Sequence, residues 1–253
     1  MPANVGPVSL FIPCLVDTVY PEIGLAVGRL LRHLGFEVRY DARQTCCGQP
    51  AFNAGQWAEA RRVASGWLDV FAGAGAVVCP SGSCTAMVRK FYATLFADDA
   101  PRRTQAEMAA RNLYEFAEFL TRTGTVDRLS GTWKARVGFH NSCHNLRELR
   151  LHREHQRLLA RVAGADVVEV AGEPVCCGFG GLFSAKFEPI AASMGKSRLD
   201  AFVALGVDLL VVNDPGCLMH LRQEARARQL PLPILHTAEF VAQSMGLLPQ
   251  APG

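Results

Sequence analysis

The 253-residue chain has no apolar run of the roughly 18–20 residues that a membrane span requires. Its best candidate, residues 202–212, is short and contains Asp208. The opening MPANVGPVSLFIPC lacks a basic region ahead of its apolar stretch, which argues against a secretory signal. Excess charge is scarce too: a net charge of +3 is too small to imply nucleic-acid binding. Lysine is rare, with four against 22 arginines. There is no Walker lysine and no Gly-x-Ser-x-Gly elbow. Gly178-Phe179-Gly180-Gly181 lacks the Gly-x-Gly-x-x-Gly spacing, and Gly73-Ala74-Gly75 precedes a strand pattern instead of following one. These absences predict a cytoplasmic protein with no membrane span, no nucleic acid, and no flavin or NAD. Hydrophobic residues at 49% and charged residues at 19% exclude a disordered, collagen-like or coiled-coil chain.

What the chain does have is nine cysteines. The count is odd, the chain is long, and no export signal precedes it. A disulfide scaffold fits those facts badly, and a metal or redox site fits them well.

The sequence is written twice. A short apolar strand pattern (8–12, and again 137–139) runs into Cys14 and into Cys143. A helix-period stretch follows each cysteine and ends at a glycine, Gly35 or Gly164, suited to a helix C-cap. Cys46-Cys47-Gly48 is answered by Cys176-Cys177-Gly178. Helix-period segments (57–71, 190–205) and apolar runs (76–78, 209–212) then lead to Ser81-Gly82-Ser83-Cys84 and Asp214-Pro215-Gly216-Cys217. The tails echo one another as well, from Glu115-Phe116-Ala117-Glu118 to His236-Thr237-Ala238-Glu239. Strands alternating with helices predict βαβ units and a parallel sheet. The expected fold is α/β, with two tandem, duplicated Rossmann-like halves, 5–125 and 134–250, related by pseudo-twofold symmetry. A polar segment, 121–133, would join them, and 97–111 reads as an exposed loop leading into a helix.

In each half every one of these cysteines follows a predicted strand. Strands of a parallel sheet share one carboxyl edge, where open α/β sheets bind their ligands. Cys14, Cys46, Cys47 and Cys84 should therefore meet in space, and so should Cys143, Cys176, Cys177 and Cys217. Four converging thiols suit Zn²⁺ or an iron–sulfur cluster. The surroundings favour a cluster: glycine follows each cysteine pair, and Ser81-Gly82-Ser83 and Phe179-Gly180-Gly181 offer backbone N–H donors to sulfur. Small structural zinc sites more often take close Cys-x2-Cys pairs from one loop.

The motifs 45–55 (TCCGQPAFNAG), 79–84 (CPSGSC), 176–181 (CCGFGG) and 213–220 (NDPGCLMH) resemble the lactate utilization protein A family. That family belongs to the CCG cysteine-rich proteins, with heterodisulfide reductase and the glycolate oxidase iron–sulfur subunit. The resemblance covers nearly the whole chain. It implies an iron–sulfur subunit of a system oxidising L-lactate to pyruvate, beside two partner subunits, one carrying further cluster motifs. A small 2-hydroxy acid substrate would be reached through the complex, which could sit peripherally on a membrane through its partners.

The fullest family motif ends in Cys-x2-Cys and gives five cysteines for a noncubane cluster. Here Ser81 and Asp214 stand at the first of those two positions, leaving four thiols per half and suiting one [4Fe–4S] cluster each. Cys79 could add a fifth thiolate in the first half, or be a buried strand-end residue. Asp214 could ligate iron or cap the following turn. His140 and His144 flank Cys143, and His220 follows Cys217; His220 and His144 are candidate ligands or neighbouring donors. Arg147, Arg150, Arg153, Arg157 and Arg161 fall on one face of a single predicted helix, as a solvated stripe or as a dock for an acidic partner. The competing functions are thiol–disulfide reduction at a cluster and a zinc-stabilised interaction module.

Overall fold

The computed structural model describes residues 6–172 and 175–250. The chain divides into two compact units, Met1–Thr125 and Val126–Gly253. The expected first residue of the first half, 5, lies outside the described residues.

In the first unit β1 (Val8–Leu10) leads through α1 (Cys14–Val19) and α2 (Pro21–His33) to β2 (Val38–Tyr40). The chain continues through α3 (Gln49–Asn53) and α4 (Trp57–Val70) to β3 (Ala76–Cys79). α5 (Gly82–Ala86) passes through a π turn, Met87–Phe91, into α6 (Tyr92–Leu95). α7 (Ala100–Asn112), β4 (Leu113–Glu115) and α8 (Phe116–Arg122) complete the unit. The strand order is β2-β1-β3-β4, all parallel, with Val8 opposite both Val38 and Ala76. α2 forms because Ile23, Ala26, Val27, Leu30 and Leu31 recur at helical spacing and are all buried. Pro21 starts it and Gly35, at φ +90°, ends it. The core beneath is aromatic: Phe11 meets Trp67 edge-on with centroids 5.5 Å apart, and Trp67 meets Tyr92 at 5.7 Å.

The second unit repeats the plan. β5 (Gly131–His140), α9 (His152–Leu159) and β6 (Val162–Val168) come first, then α10 (Leu182–Lys186), α11 (Glu188–Ala204) and β7 (Leu209–Val212). α12 (Pro215–Ala227), β8 (Ile234–His236) and α13 (Thr237–Ser244) follow. The order is β6-β5-β7-β8, again all parallel. β7 reads Leu-Leu-Val-Val with every residue buried, as a strand covered on both faces must. The matching tails are matching helix starts. Glu115 and His236 each accept from backbone N–H groups of the following turn, while Glu118 and Glu239 reach back to close a capping box.

Both units thus have the order 2-1-3-4, the two α/β Rossmann-like halves expected. In each, the chain leaves the first strand toward one neighbour and later returns to the other side. That reversal opens a crevice at the carboxyl ends of β1 and β3, and of β5 and β7.

Two of three local expectations are corrected. Residues 97–111 are not a loop but mostly α7, because Asp99 accepts the Arg102 N–H as its N-cap and alanine and arginine sustain the helix. Residues 121–133 do join the units, which divide between Thr125 and Val126, and they hold the end of α8, a 3₁₀ turn (Thr125–Arg128) and the start of β5. The five arginines do not share a helix face. A π turn, His144–Leu149, is followed by Arg150 at φ +60°, and α9 starts afresh at His152. That break removes the geometric basis of a docking stripe, and Arg157 and Arg161 instead turn to Asp127.

Two candidate metal centres

Each crevice collects four thiols. Cys14 opens α1 just past β1, Cys46 and Cys47 lie beyond β2, and Cys84 sits in α5 past β3. The Cys14 and Cys46 sulfurs are 3.7 Å apart. Cys47 contacts Cys46 on one side and Cys84 on the other. In the second unit Cys143 contacts Cys176, Cys176 contacts Cys177, and the Cys177 and Cys217 sulfurs are 3.0 Å apart. All eight predicted site cysteines are therefore brought together, in two separate quartets.

The Cys-Cys-Gly turn makes this possible. Gly48 and Gly178 have φ of +83° and +96°, which lets the chain reverse and aim both preceding side chains at one centre. The reversal also turns the glycine N–H back onto sulfur, 3.3 Å from Cys46 Sγ and 3.4 Å from Cys176 Sγ. The thiols of Cys14 and Cys47 donate to Cys46 and, with the Gly48 N–H, pull its pKa down to about 3 against burial. Cys143, Cys177 and Gly178 do the same for Cys176, to about 2. Donation to those anions, followed by burial, pushes Cys47 and Cys177 up. These donors favour the thiolate, the form that binds metal, at Cys46 and at Cys176.

Neighbouring sulfurs approach closely, to 3.7 Å for Cys14 and Cys46 and 3.0 Å for Cys177 and Cys217. Four thiolates on one zinc at 2.3 Å would stand about 3.8 Å from one another. Among the described residues no three cysteine sulfurs lie within 4.8 Å of each other; the one close trio of ligand-type side chains is His140, Cys177 and Cys217.

The remaining candidates divide. Cys79 is fully buried at the end of β3, its thiol 3.6 Å from the Ser81 carbonyl oxygen, and burial raises its pKa. Ser81 and Asp214 are helix N-caps: Ser81 Oγ accepts the Cys84 N–H, and Asp214 accepts the Gly216 N–H at 3.0 Å. His220 gives its Nε2–H to the Ala191 carbonyl oxygen, 3.0 Å away, and packs against Gly178. His144 Nδ1 lies 3.7 Å from the adjoining Cys143 sulfur.

Sequence reasoning noted His140 beside Cys143 but missed its partner, Arg198, and with it the pair that most distinguishes the two sites. His140 is buried at the end of β5, and its Nδ1 accepts a hydrogen bond from Arg198 Nε at 3.0 Å. Burial, then the Arg198 charge, lowers the His140 pKa to about 3. Comparing the halves position by position could have found them, because His140 matches Phe11 and Arg198 matches Trp67, polar residues at apolar positions.

The cysteine-rich domain family (CCG) matches this chain twice, over residues 8–89 and 137–222. Lactate utilization protein A of an Exiguobacterium species is 36% identical over 240 residues, covering 94% of this chain and 98% of that protein. The protein of the same name from Halalkalibacterium halodurans is 37% identical over 234 residues, covering 92% and 96%. That of Bacillus subtilis is 36% identical over 234 residues, covering 92% and 98%. Among solved structures, a hypothetical protein from Helicobacter pylori aligns at a TM-score of 0.65 with 11% identity, over 97% of this chain and 50% of that one. That likeness concerns the fold alone, and this chain spans half of that protein's length.

Proposed function

This chain belongs to the CCG cysteine-rich family and, within it, to the group of lactate utilization protein A, and from that premise we propose that it is the iron–sulfur subunit of an L-lactate-oxidising system. The observation that carries the reading is the pair of converging thiol quartets at the two strand-edge crevices. Cys14, Cys46, Cys47 and Cys84 would hold one [4Fe–4S] cluster, and Cys143, Cys176, Cys177 and Cys217 a second. When bound, such a group accepts and passes on single electrons. The chain supplies the thiolates and backbone N–H donors at Gly48 and Gly178.

Oxidising a 2-hydroxy acid also requires a base for the hydroxyl proton. That role falls to the assembled system, with two partner subunits, and lactate is the substrate of the complex. Among the described residues no helix is long and apolar enough to cross a membrane, so any membrane attachment would come through partners. Thiol–disulfide chemistry on a five-cysteine cluster loses support, because Ser81 and Asp214 fill the fifth position and serve as helix caps.

The test is metal and sulfide analysis of the anaerobically purified chain. About eight irons with matching sulfide are expected for two four-iron clusters. Zinc without sulfide would leave a structural interaction module and overturn the proposal.

A further inference from the structure

The two sites are built alike in their cysteines and differently behind them. Ala60 and Val63 face Gly48 just as Ala191 and Met194 face Gly178, both a shift of 131 residues. The same shift carries Trp67 onto Arg198 (198 − 67 = 131), and the strand-end position three before the first cysteine is Phe11 in one half and His140 in the other. An edge-on aromatic pair in the first half is thus a hydrogen-bonded Arg–His pair in the second.

The arginine decides what the histidine can do. A guanidinium only donates, so the ring nitrogen facing it, Nδ1, must be the acceptor. The neutral ring then carries its proton on Nε2. Nε2 is buried and has no hydrogen-bond partner among the described residues, yet a His140 ring nitrogen lies within 4.8 Å of both the Cys177 and the Cys217 sulfur. A ring nitrogen that bears a proton is a donor to sulfur and not a ligand to metal. Arg198 itself is 8% exposed, stacks its guanidinium 4.7 Å from the Phe202 ring centroid, and interacts electrostatically with Cys177 and Cys217. Among the described residues no carboxylate forms an ion pair with it, and Glu169 acts on it only at longer range.

We propose that His140, fixed as the Nε2–H form by Arg198, offers its unpartnered N–H to the sulfurs of the second site once a cluster is bound, and that the pair raises that cluster's reduction potential. This rests on the cluster reading above. Donors to cluster sulfur and nearby positive charge both favour the reduced, more negative cluster. The pair also opposes Asp214, whose carboxylate interacts with Cys143 and Cys217 where the first half has neutral Ser81. His140 and Arg198 are positioning residues that act on the cluster through charge and hydrogen bonding.

The experiment is an anaerobic redox titration followed by electron paramagnetic resonance, on the full-length iron-loaded chain in a Cys47→Ser background that leaves only the second site filled. His140→Phe and Arg198→Met should keep the iron and lower the midpoint potential. The double variant His140→Phe with Arg198→Trp, which installs the first half's pair, should lower it at least as far. The same substitutions in a Cys177→Ser background should leave the first cluster's potential where it was. Unmoved second-site potentials would overturn the proposal. Iron lost from His140→Phe alone would make His140 a ligand, and iron lost from all three variants would make the pair a builder of the site; either result overturns it. An unsubstituted chain that takes up no iron and sulfide removes the cluster reading itself, a failure read before any variant is made.

Discussion

Gly178 lies so close to the Ala191 carbonyl oxygen that a Cβ placed on it would come within 2.5 Å of that atom. The equivalent approach in the first half, Gly48 to the Ala60 carbonyl oxygen, is looser at 3.2 Å. Both glycines are left-handed, so any substitution carries a conformational cost on the order of 1–3 kcal/mol. The clash comes on top of that in the second half. Gly178→Ala should therefore lower the thermal midpoint more than Gly48→Ala and should strip metal from its own half. Calorimetry with iron analysis checks this, and equal losses would mean that the helix contact does not set the turn.

Removing one thiol should empty one site only. Each quartet is drawn from the strand ends of its own unit, so Cys47→Ser should lose about half of the iron and keep the second site's spectrum. Cys177→Ser should do the converse. A chain that loses all its iron on either substitution holds one shared cluster, and a chain that loses none uses its Cys-Cys pairs structurally.

Asp214 and Ser81 test ligation against capping. Asp214→Ala should cost about 1 kcal/mol, as removal of an N-cap does. Asp214→Ser, which copies the first half, should restore most of that and retain full iron. Loss of iron in the serine variant, with stability intact, would make Asp214 a ligand after all.

His236 predicts an acid-sensitive fold. Its Nδ1 accepts the Ala238 N–H at the start of α13, and burial lowers its pKa from 6.5 to about 4. Between those values the unfolded chain binds the proton and the folded chain does not, so stability falls as pH drops through that window. The loss is on the order of 3 kcal/mol and is complete below pH 4. His236→Asn, which keeps a capping oxygen, should flatten the urea-unfolding free energy between pH 6.5 and 4. An unchanged slope would assign the acid sensitivity to other groups.

The strand-cysteine order was legible in the sequence because parallel strands share an edge, so a cysteine after each strand can only point to that edge. The repeat made the same prediction twice, and the glycines after the cysteine pairs announced their left-handed turns. The arginine stripe misled because helical spacing was read across Arg150, whose left-handed backbone nothing in its side chain signals. Residues 97–111 misled because their polarity hid a capped helix.

By itself, then, the sequence determined two α/β units and which eight cysteines gather, since period, punctuation and strand order are local properties. Only the tertiary structure decided what stands behind the sulfurs. His140 and Arg198 are 58 residues apart, and neither local pattern says that the end of one strand faces the third turn of a helix packed over it. Side chains meet there because the sheet and the helix fix their distance and phase, and that is set by packing across the whole unit.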